Sequence, residues 1–191
     1  IVPPRPSLVP VLVKERWVRE VEGLSLRNVS VVLVHDGKKA AEEFGEALFT
    51  DSGMSGPVIL DLSRVIGDMT GGRIELVIDL KPALDHKTLE ARVMRDFGAN
   101  PTRHFKNSLG ALLPASLIPV ILRMSGVDPE KTVSHITREE RKSLVQSLKG
   151  LRLEVTGLEG FDRAIVTAGG VSLDEIDTRT MRSRLVENLY F

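Results

Sequence analysis

The residues best placed for chemistry lie at the end of a short β-branched run. Ala164-Ile165-Val166-Thr167 reads as a buried strand that stops at Ala168-Gly169-Gly170. Paired glycines after a strand accept positive φ and let another group approach the backbone closely. Two readings follow: a plain turn between two strands, or the wall of a cofactor pocket. Asp174-Glu175 and a second apolar run, Leu185 to Phe191, come next. The other candidate is Gly53-Met54-Ser55-Gly56-Pro57. Pro57 suits the first turn of a helix and Ser55 its N-cap, with apolar residues at 58, 59, 62, 65 and 66 in helical spacing. Amides at such a start can receive a phosphate or a carbonyl oxygen. A loop-to-helix junction without a ligand is the plainer reading of the same spacing.

Other catalytic signatures are absent. The chain has no G-x-G-x-x-G, no Walker loop and no G-x-S-x-G elbow. His35, His86, His104 and His135 fall on different predicted elements and form no H-x-x-x-H pair, so no metal site is expected. Asp79, Asp174, Glu175 and Asp177 have the chemistry for acid–base work, but surface solvation accounts for each. Arg103, His104 and Lys106 form a small basic cluster that reads as a solvated helix face.

The elements that must position these residues come in the order strands, helices, strands. Residues 1 to 13 carry four prolines and read as an extended segment along a sheet edge. Val29 to Val34 is the strongest strand, and Asp36-Gly37 turns it into a hairpin whose return limb, Lys39 to Phe49, kinks at Gly45. After the helix at 58–66, Gly71-Gly72 leads into an alternating strand, Arg73 to Leu80. Residues 86–97, 102–113, 115–124 and 137–149 read as four helices, the last opened by the capping-box pair Thr137 and Glu140. Strand periodicity returns at Leu151 to Gly157. The expected fold is α+β: a β-barrel interrupted by a small helical subdomain. Its parts are 1–85 (barrel, first part), 86–150 (helical insert) and 151–191 (closing strands). Strands on either side of the helices would otherwise be orphaned edges.

Composition narrows the class. Lys plus Arg equals Asp plus Glu at 26 each, so the net charge is zero and no nucleic-acid or anionic-membrane partner is expected. One Trp and one Tyr offer no stacking surface for single strands. Cysteine is absent, which excludes disulfides, thiolate zinc sites and Cys nucleophiles. No apolar run reaches membrane-span length. The chain opens without Met and closes on Leu189-Tyr190-Phe191, so both ends read as cuts. Glu187 to Phe191 also match most of a protease-cleavage tag.

Several stretches together resemble one family, the bacterial FAD-dependent NAD(P)H oxidoreductases of the BaiN and YhiN type, also called HI-type flavoproteins or aminoacetone-oxidase-like proteins. They are I-V-P-P-x-P-x-L-V-P at 1–10, G-L-S-L-x-N-V at 23–29, G-E-x-L-F-T at 45–50 and G-x-S-G-P at 53–57. F-x-x-A-x-V-T-x-G-G-V-x-x-x-E-I at 161–176 and T-M-x-S-[KR]-L-V-x-x-L-Y-F from Thr180 complete the set. The resemblance places Leu189-Tyr190-Phe191 in native register, while Glu187-Asn188 departs from the family's usual residues. It implies that the chain is the insert of a split FAD-binding Rossmann-like domain, with a translation-factor-like barrel. The implied partners are the flanking FAD-binding domain and a small-molecule substrate. It further implies FAD in the parent protein, NAD(P)H as electron donor, a cytoplasmic location, and a fragment inactive by itself. Thr167, Gly169, Gly170 and Val171 would face the isoalloxazine ring, with Ser55, Gly56 and Pro57 as a second candidate, and residues 86 to 149 could act as a lid. The alternative is a non-catalytic binding module built on the same barrel.

Overall fold

The structure, a computed structural model, describes residues 1–191. Its centre is a closed barrel. Six strands, β2 (Val11–Val13), β3 (Ser25–His35), β4 (Lys38–Phe49), β5 (Gly53–Ser55), β6 (Ile74–Asp79) and β7 (Leu151–Leu158), pair antiparallel around the ring β2-β5-β4-β3-β6-β7. Alternation along each strand sends one set of side chains inward. Val29, Val31 and Leu33 from β3 meet Leu76 and Ile78 from β6 and Leu151 and Leu153 from β7, all fully buried or nearly so. The β3–β4 hairpin turns at Asp36 (φ 48°) and Gly37 (φ 77°), the two left-handed residues a tight hairpin requires. Opposite Gly45 the β3 register slips between Leu26 and Val29, so the expected kink is a bulge.

Helix α1 (Pro57–Ile66) lies between β5 and β6 in sequence and packs on β4. Its buried face is Val58, Ile59, Leu62 and Ile66, the helical stripe read from the sequence except for Val65, which is exposed. Gly56, with φ 92°, occupies the N-cap position; Ser55 instead ends β5 and pairs with Leu48.

The helical block leaves the barrel after β6 and returns at β7. It contains α2 (His86–Ala99), α3 (Ile118–Ser125) and α4 (Arg138–Lys149). The expected helix over 102–113 is not present: only Phe105–Asn107 forms a short 3-10 turn. Phe105, Leu109, Leu112 and Leu113 are buried at helical spacing, but the local backbone bonds across to another loop. Phe105 N–H donates to Lys131 O, and Val133 N–H donates to Arg103 O. The capping box of α4 forms as read, Thr137 Oγ1 accepting from Glu140 N–H and the Glu140 carboxylate accepting from Thr137 N–H. Barrel and helices share one continuous core of 36 buried residues. Lys149 clamps the two together. Its side chain is 9% exposed, and its ammonium sits 2.5 Å from the Asp79 carboxylate and donates to Lys81 O and Leu84 O. No helix is long and apolar enough to cross a membrane.

Two short ribbons lie outside the barrel. The proline-rich β1 (Val2–Ser7) pairs antiparallel with β8 (Val166–Gly170), and β9 (Ile176–Asp177) pairs with β10 (Arg182–Ser183). The buried strand expected at 164–167 is therefore displaced and exposed. It starts at Val166, runs through both glycines, and leaves Ile165 65% exposed. Its sole strand partner, β1, has prolines at three of six positions, which confines the pair to an edge. The apolar run Leu185 to Phe191 is not a strand either.

Candidate functional site

The β1–β8 ribbon lies against the C-terminal half of α1, and a groove of about 670 Å³ runs between them. Arg5, Asp61, Arg64, Val65, Asp68 and Ala168 line it, with Ser7 and Glu43. Arg5 pairs with Asp68, and Val9 N–H donates to Ser63 Oγ at 3.1 Å, so ribbon and helix are fixed together by polar contacts. Ser63 is buried on the helix face that carries Ile59 and Ile66.

The two sequence-derived candidates do not share a cavity. Ser55, Gly56 and Pro57 stand at the N-terminal end of α1. Ser55 lines a separate cleft of about 350 Å³ with Pro10, Glu159 and Arg163. Gly56 is required by packing: a Cβ there would lie 3.0 Å from Leu48 N and 3.1 Å from Ala47 Cα and Glu46 O. Its open conformation is thus filled by β4 backbone, and it presents no free surface in that direction.

The β8 residues divide in two. At Gly169 (φ 94°) a Cβ would fall 2.5 Å from Pro3 O, so the chain's own β1 takes the space the missing side chain leaves. At Gly170 (φ 105°) nothing lies within 4 Å of the same position. Thr167 is exposed and Val171 half-buried beside it. Gly170 is therefore the one glycine of the pair whose Cβ direction is unfilled, although its backbone is half-buried and registers with Val2 of β1. The neighbouring apolar residues are also uncovered: Ile165, Val166, Leu173, Leu185, Val186, Tyr190 and Phe191 are all exposed.

Of the four candidate carboxylates, Asp177 and Asp79 have structural partners, while the side chains of Asp174 and Glu175 make no hydrogen bond or ion pair. Asp177 Oδ1 accepts from Arg179 N–H at 2.9 Å and Thr180 N–H at 3.3 Å. These bonds, the one from Arg179 foremost, hold its carboxyl below the usual aspartate range, so it stays ionised as a turn closer. Asp79 is engaged by Lys149, as described. His35 Nε2–H donates to Gly71 O and His104 Nδ1–H to Glu130 O, and His135 Nδ1 shares a hydrogen bond with Thr132 Oγ1; each serves a turn. Sequence reasoning did not single out Arg5, Arg64 or Asp68. Their convergence depends on β1 folding back against α1, for which local spacing carries no signal.

A closed antiparallel barrel with a helical block inserted between two of its strands, and a proline-rich ribbon leading out of it, defines a barrel-plus-helices module. The chain belongs to the family described as HI0933-like protein barrel and H2TH domain, whose pattern matches residues 5–166. It is 30% identical over 194 residues to a ribosomal RNA dihydrouridine synthase of Escherichia coli, covering 100% of this chain and 45% of that protein. It is 29% identical over 193 residues to the Haemophilus influenzae protein of the same name, with the same coverage. A 3-dehydro-bile acid delta(4,6)-reductase of Clostridium scindens is 26% identical over 187 residues, covering 97% of this chain and 46% of that enzyme. The chain thus spans a little under half the length of these relatives.

Proposed function

We propose that this chain is the substrate-side portion of a flavin-dependent NAD(P)H oxidoreductase, and that the whole protein reduces a carbon–carbon double bond conjugated to a carbonyl. The observation that carries the reading is the run of uncovered apolar side chains within residues 165–191, the stretch that also holds the unfilled Cβ direction of Gly170. Elsewhere, Val2 of β1 registers with Gly170 and Ile1 precedes it, and the other large exposed apolar residues, Phe44, Val65, Met94, Met124 and Phe161, are far apart in sequence. Exposed apolar residues this numerous in one stretch of chain call for a cover, and an FAD-binding domain supplies both cover and ligand. The division into barrel (1–85), helical insert (86–150) and closing segment (151–191) is part of this proposal.

The reaction class follows from the relatives' names. A dihydrouridine synthase and a delta(4,6)-reductase of a 3-dehydro steroid both saturate an alkene polarised by a carbonyl. Such a reduction places a hydride on the carbon distal to the carbonyl and a proton on the adjacent carbon. FAD, when bound, supplies that hydride after taking it from NAD(P)H. The residues of this chain do the positioning. Thr167, Gly170 and Val171 would border the flavin, the Thr167 hydroxyl offering a hydrogen bond and Gly170 allowing close approach. Gly169 holds β8 to β1, and Ser55, Gly56 and Pro57 serve the α1 junction. The apolar run 185–191 would exclude water once covered. The chain itself contributes positioning and no reacting group.

The test is the visible spectrum of the full-length parent protein and of residues 1–191, each purified without added flavin. The parent is expected to show the flavin band and the shorter chain to be colourless. A colourless parent that takes up no added FAD overturns the reading and leaves a binding module.

A further inference from the structure

Two buried side-chain polar atoms find no hydrogen-bond partner in this protein, Thr50 Oγ1 and Arg141 Nε. The first is a neutral hydroxyl. The second belongs to a cation, for which an unmade bond in a buried place is the more costly. Arg141 stands near the start of α4 and is half-buried. Its Nη1 donates to Ile136 O at 3.0 Å. It forms no ion pair; Glu140, its neighbour on the helix, is held by Lys131 and by the Thr137 amide. The Nε–H and Nη2 therefore remain free. These two lie on one edge of the planar guanidinium, and their N–H groups make the fork that fits the two oxygens of a carboxylate.

The same side chain lines a cleft of about 180 Å³ between the end of α2 and the start of α4. Phe97 and Gly98 from α2, Pro101 after it, and Val133 and Ile136 ahead of α4 form the walls, with the exposed Met94 beside them. Phe97, Val133 and Ile136 are buried members of the shared core, so the apolar floor is fixed. Backbone bonds hold the two sides in place: Ser134 N–H donates to Pro101 O, and Val133 N–H to Arg103 O. Apart from Arg141, the one polar side chain in the lining is that of Ser134, and no carboxylate faces the cleft. The surrounding charge has the same sign. Residues 86 to 150 hold eleven Lys and Arg against six Asp and Glu, a local excess that the whole-chain total of zero conceals and that draws anions to this block.

We propose that this cleft binds a small monocarboxylate with a compact apolar body. The body packs on Phe97, Val133 and Ile136, and the carboxylate bridges the Nε–Nη2 edge of Arg141. Nε is shut from water while Nη2 is not, so the carboxylate is received at Nη2 and a small rotation of the guanidinium brings Nε–H onto its second oxygen. The size of the cleft sets the class. It is smaller than the roughly 300–1,000 Å³ of sites for drug-sized ligands, so it suits an acid of one ring or one short branched chain. A neutral ligand of the same shape would leave the guanidinium edge unmet, and a carboxylate without an apolar body would leave the floor uncovered. The site is separate from the β8 glycines, and the proposal does not depend on the flavin reading.

The test uses the full-length flavin-loaded protein with its arginines labelled with nitrogen-15, and sodium benzoate as the probe. The Arg141 Nε–H resonance is assigned by its absence from Arg141→Lys. Benzoate should move this resonance downfield in a saturable way, with half-saturation at roughly 1–10 mM. Benzamide, the uncharged isostere, and acetate, the charge without the ring, should each bind about tenfold or more weakly. Gly98→Leu supplies a variant that spares Arg141. A Cβ at Gly98 meets nothing within 4 Å, so the leucine enters the cleft without a clash at its root. It should keep the melting temperature of the parent and weaken benzoate about tenfold or more. The proposal is overturned by a benzoate response that stays linear to about 50 mM, or by one that saturates while Nε–H does not move. It is equally overturned if benzamide binds as well as benzoate, or if a folded Gly98→Leu protein binds like the parent. None of these results alters the flavin band, so the flavin reading stands or falls separately.

Discussion

Replacing Gly169 and Gly170 by alanine, one at a time, separates a glycine needed by the fold from one free to face a ligand. Both have φ near 100°, so each alanine carries similar backbone strain, roughly 1–2 kcal/mol. The surroundings differ. At Gly169 the new methyl would sit 2.5 Å from Pro3 O and 3.0 Å from Pro3 C and Pro4 Cα, all of them backbone. β1 must move away, which adds roughly 1–3 kcal/mol of overpacking. At Gly170 the methyl enters open space. Gly169→Ala should therefore cost about 2–5 kcal/mol locally and Gly170→Ala about 1–2 kcal/mol. The ribbon lies outside the shared core, so the readout must be local. Amide hydrogen exchange over residues 1–9 and 164–171 of the purified chain should accelerate strongly for Gly169→Ala and modestly for Gly170→Ala. In the full-length protein the order should reverse for flavin retention if Gly170 borders the ring. Equal exchange in the two variants would refute the packing argument, and equal flavin content would refute the assignment of Gly170.

Three further outcomes are expected. Thr137→Ala removes half of the α4 capping box and should lower stability in urea unfolding by about 1 kcal/mol. Lys149→Ala leaves the Asp79 carboxylate and the Lys81 and Leu84 carbonyls without their ammonium; about 2–3 kcal/mol should be lost, less than for a fully buried pair, and adding Asp79→Asn should recover part of it. Glu140 is held below its usual pKa by Lys131 first and by the Thr137 amide second. A depressed folded-state pKa gives stability that is complete above the unfolded value and lost as pH falls through the folded one. Thermal melts should therefore decline on acidification below the ordinary glutamate range, and Glu140→Gln should flatten part of that decline.

Local rules read much of this molecule well. The Asp36-Gly37 hairpin, the α1 stripe and the Thr137 capping box each depend on residues within a few positions of one another, and each formed. The stretch 102–113 had equally good helical spacing, yet its backbone partners are Lys131 and Arg103–Val133 across a loop, a tertiary choice that overrides periodicity. The strand at 164–167 was misread as buried because β-branched composition reports a need for cover and does not say which chain segment provides it. The candidate glycines were found for the right backbone reason, positive φ, but only the distance to Pro3 distinguishes them. The charged block was present in the sequence and was obscured by averaging over the whole chain.

The seam that closes the barrel joins β2 to β7, and its residues are 140 positions apart at Lys14 and Glu154. On a ribosome, therefore, the β3–β4 hairpin and the helical block emerge long before the seam has both its edges. Until β7 leaves the exit tunnel, β2 and β6 present unpaired edges, and the barrel cannot be a barrel. Closing so long a loop is slow compared with forming local contacts. The helices between β6 and β7 thus serve synthesis as well as structure: as a compact body, they shorten the effective distance that the last strand must search to find the first.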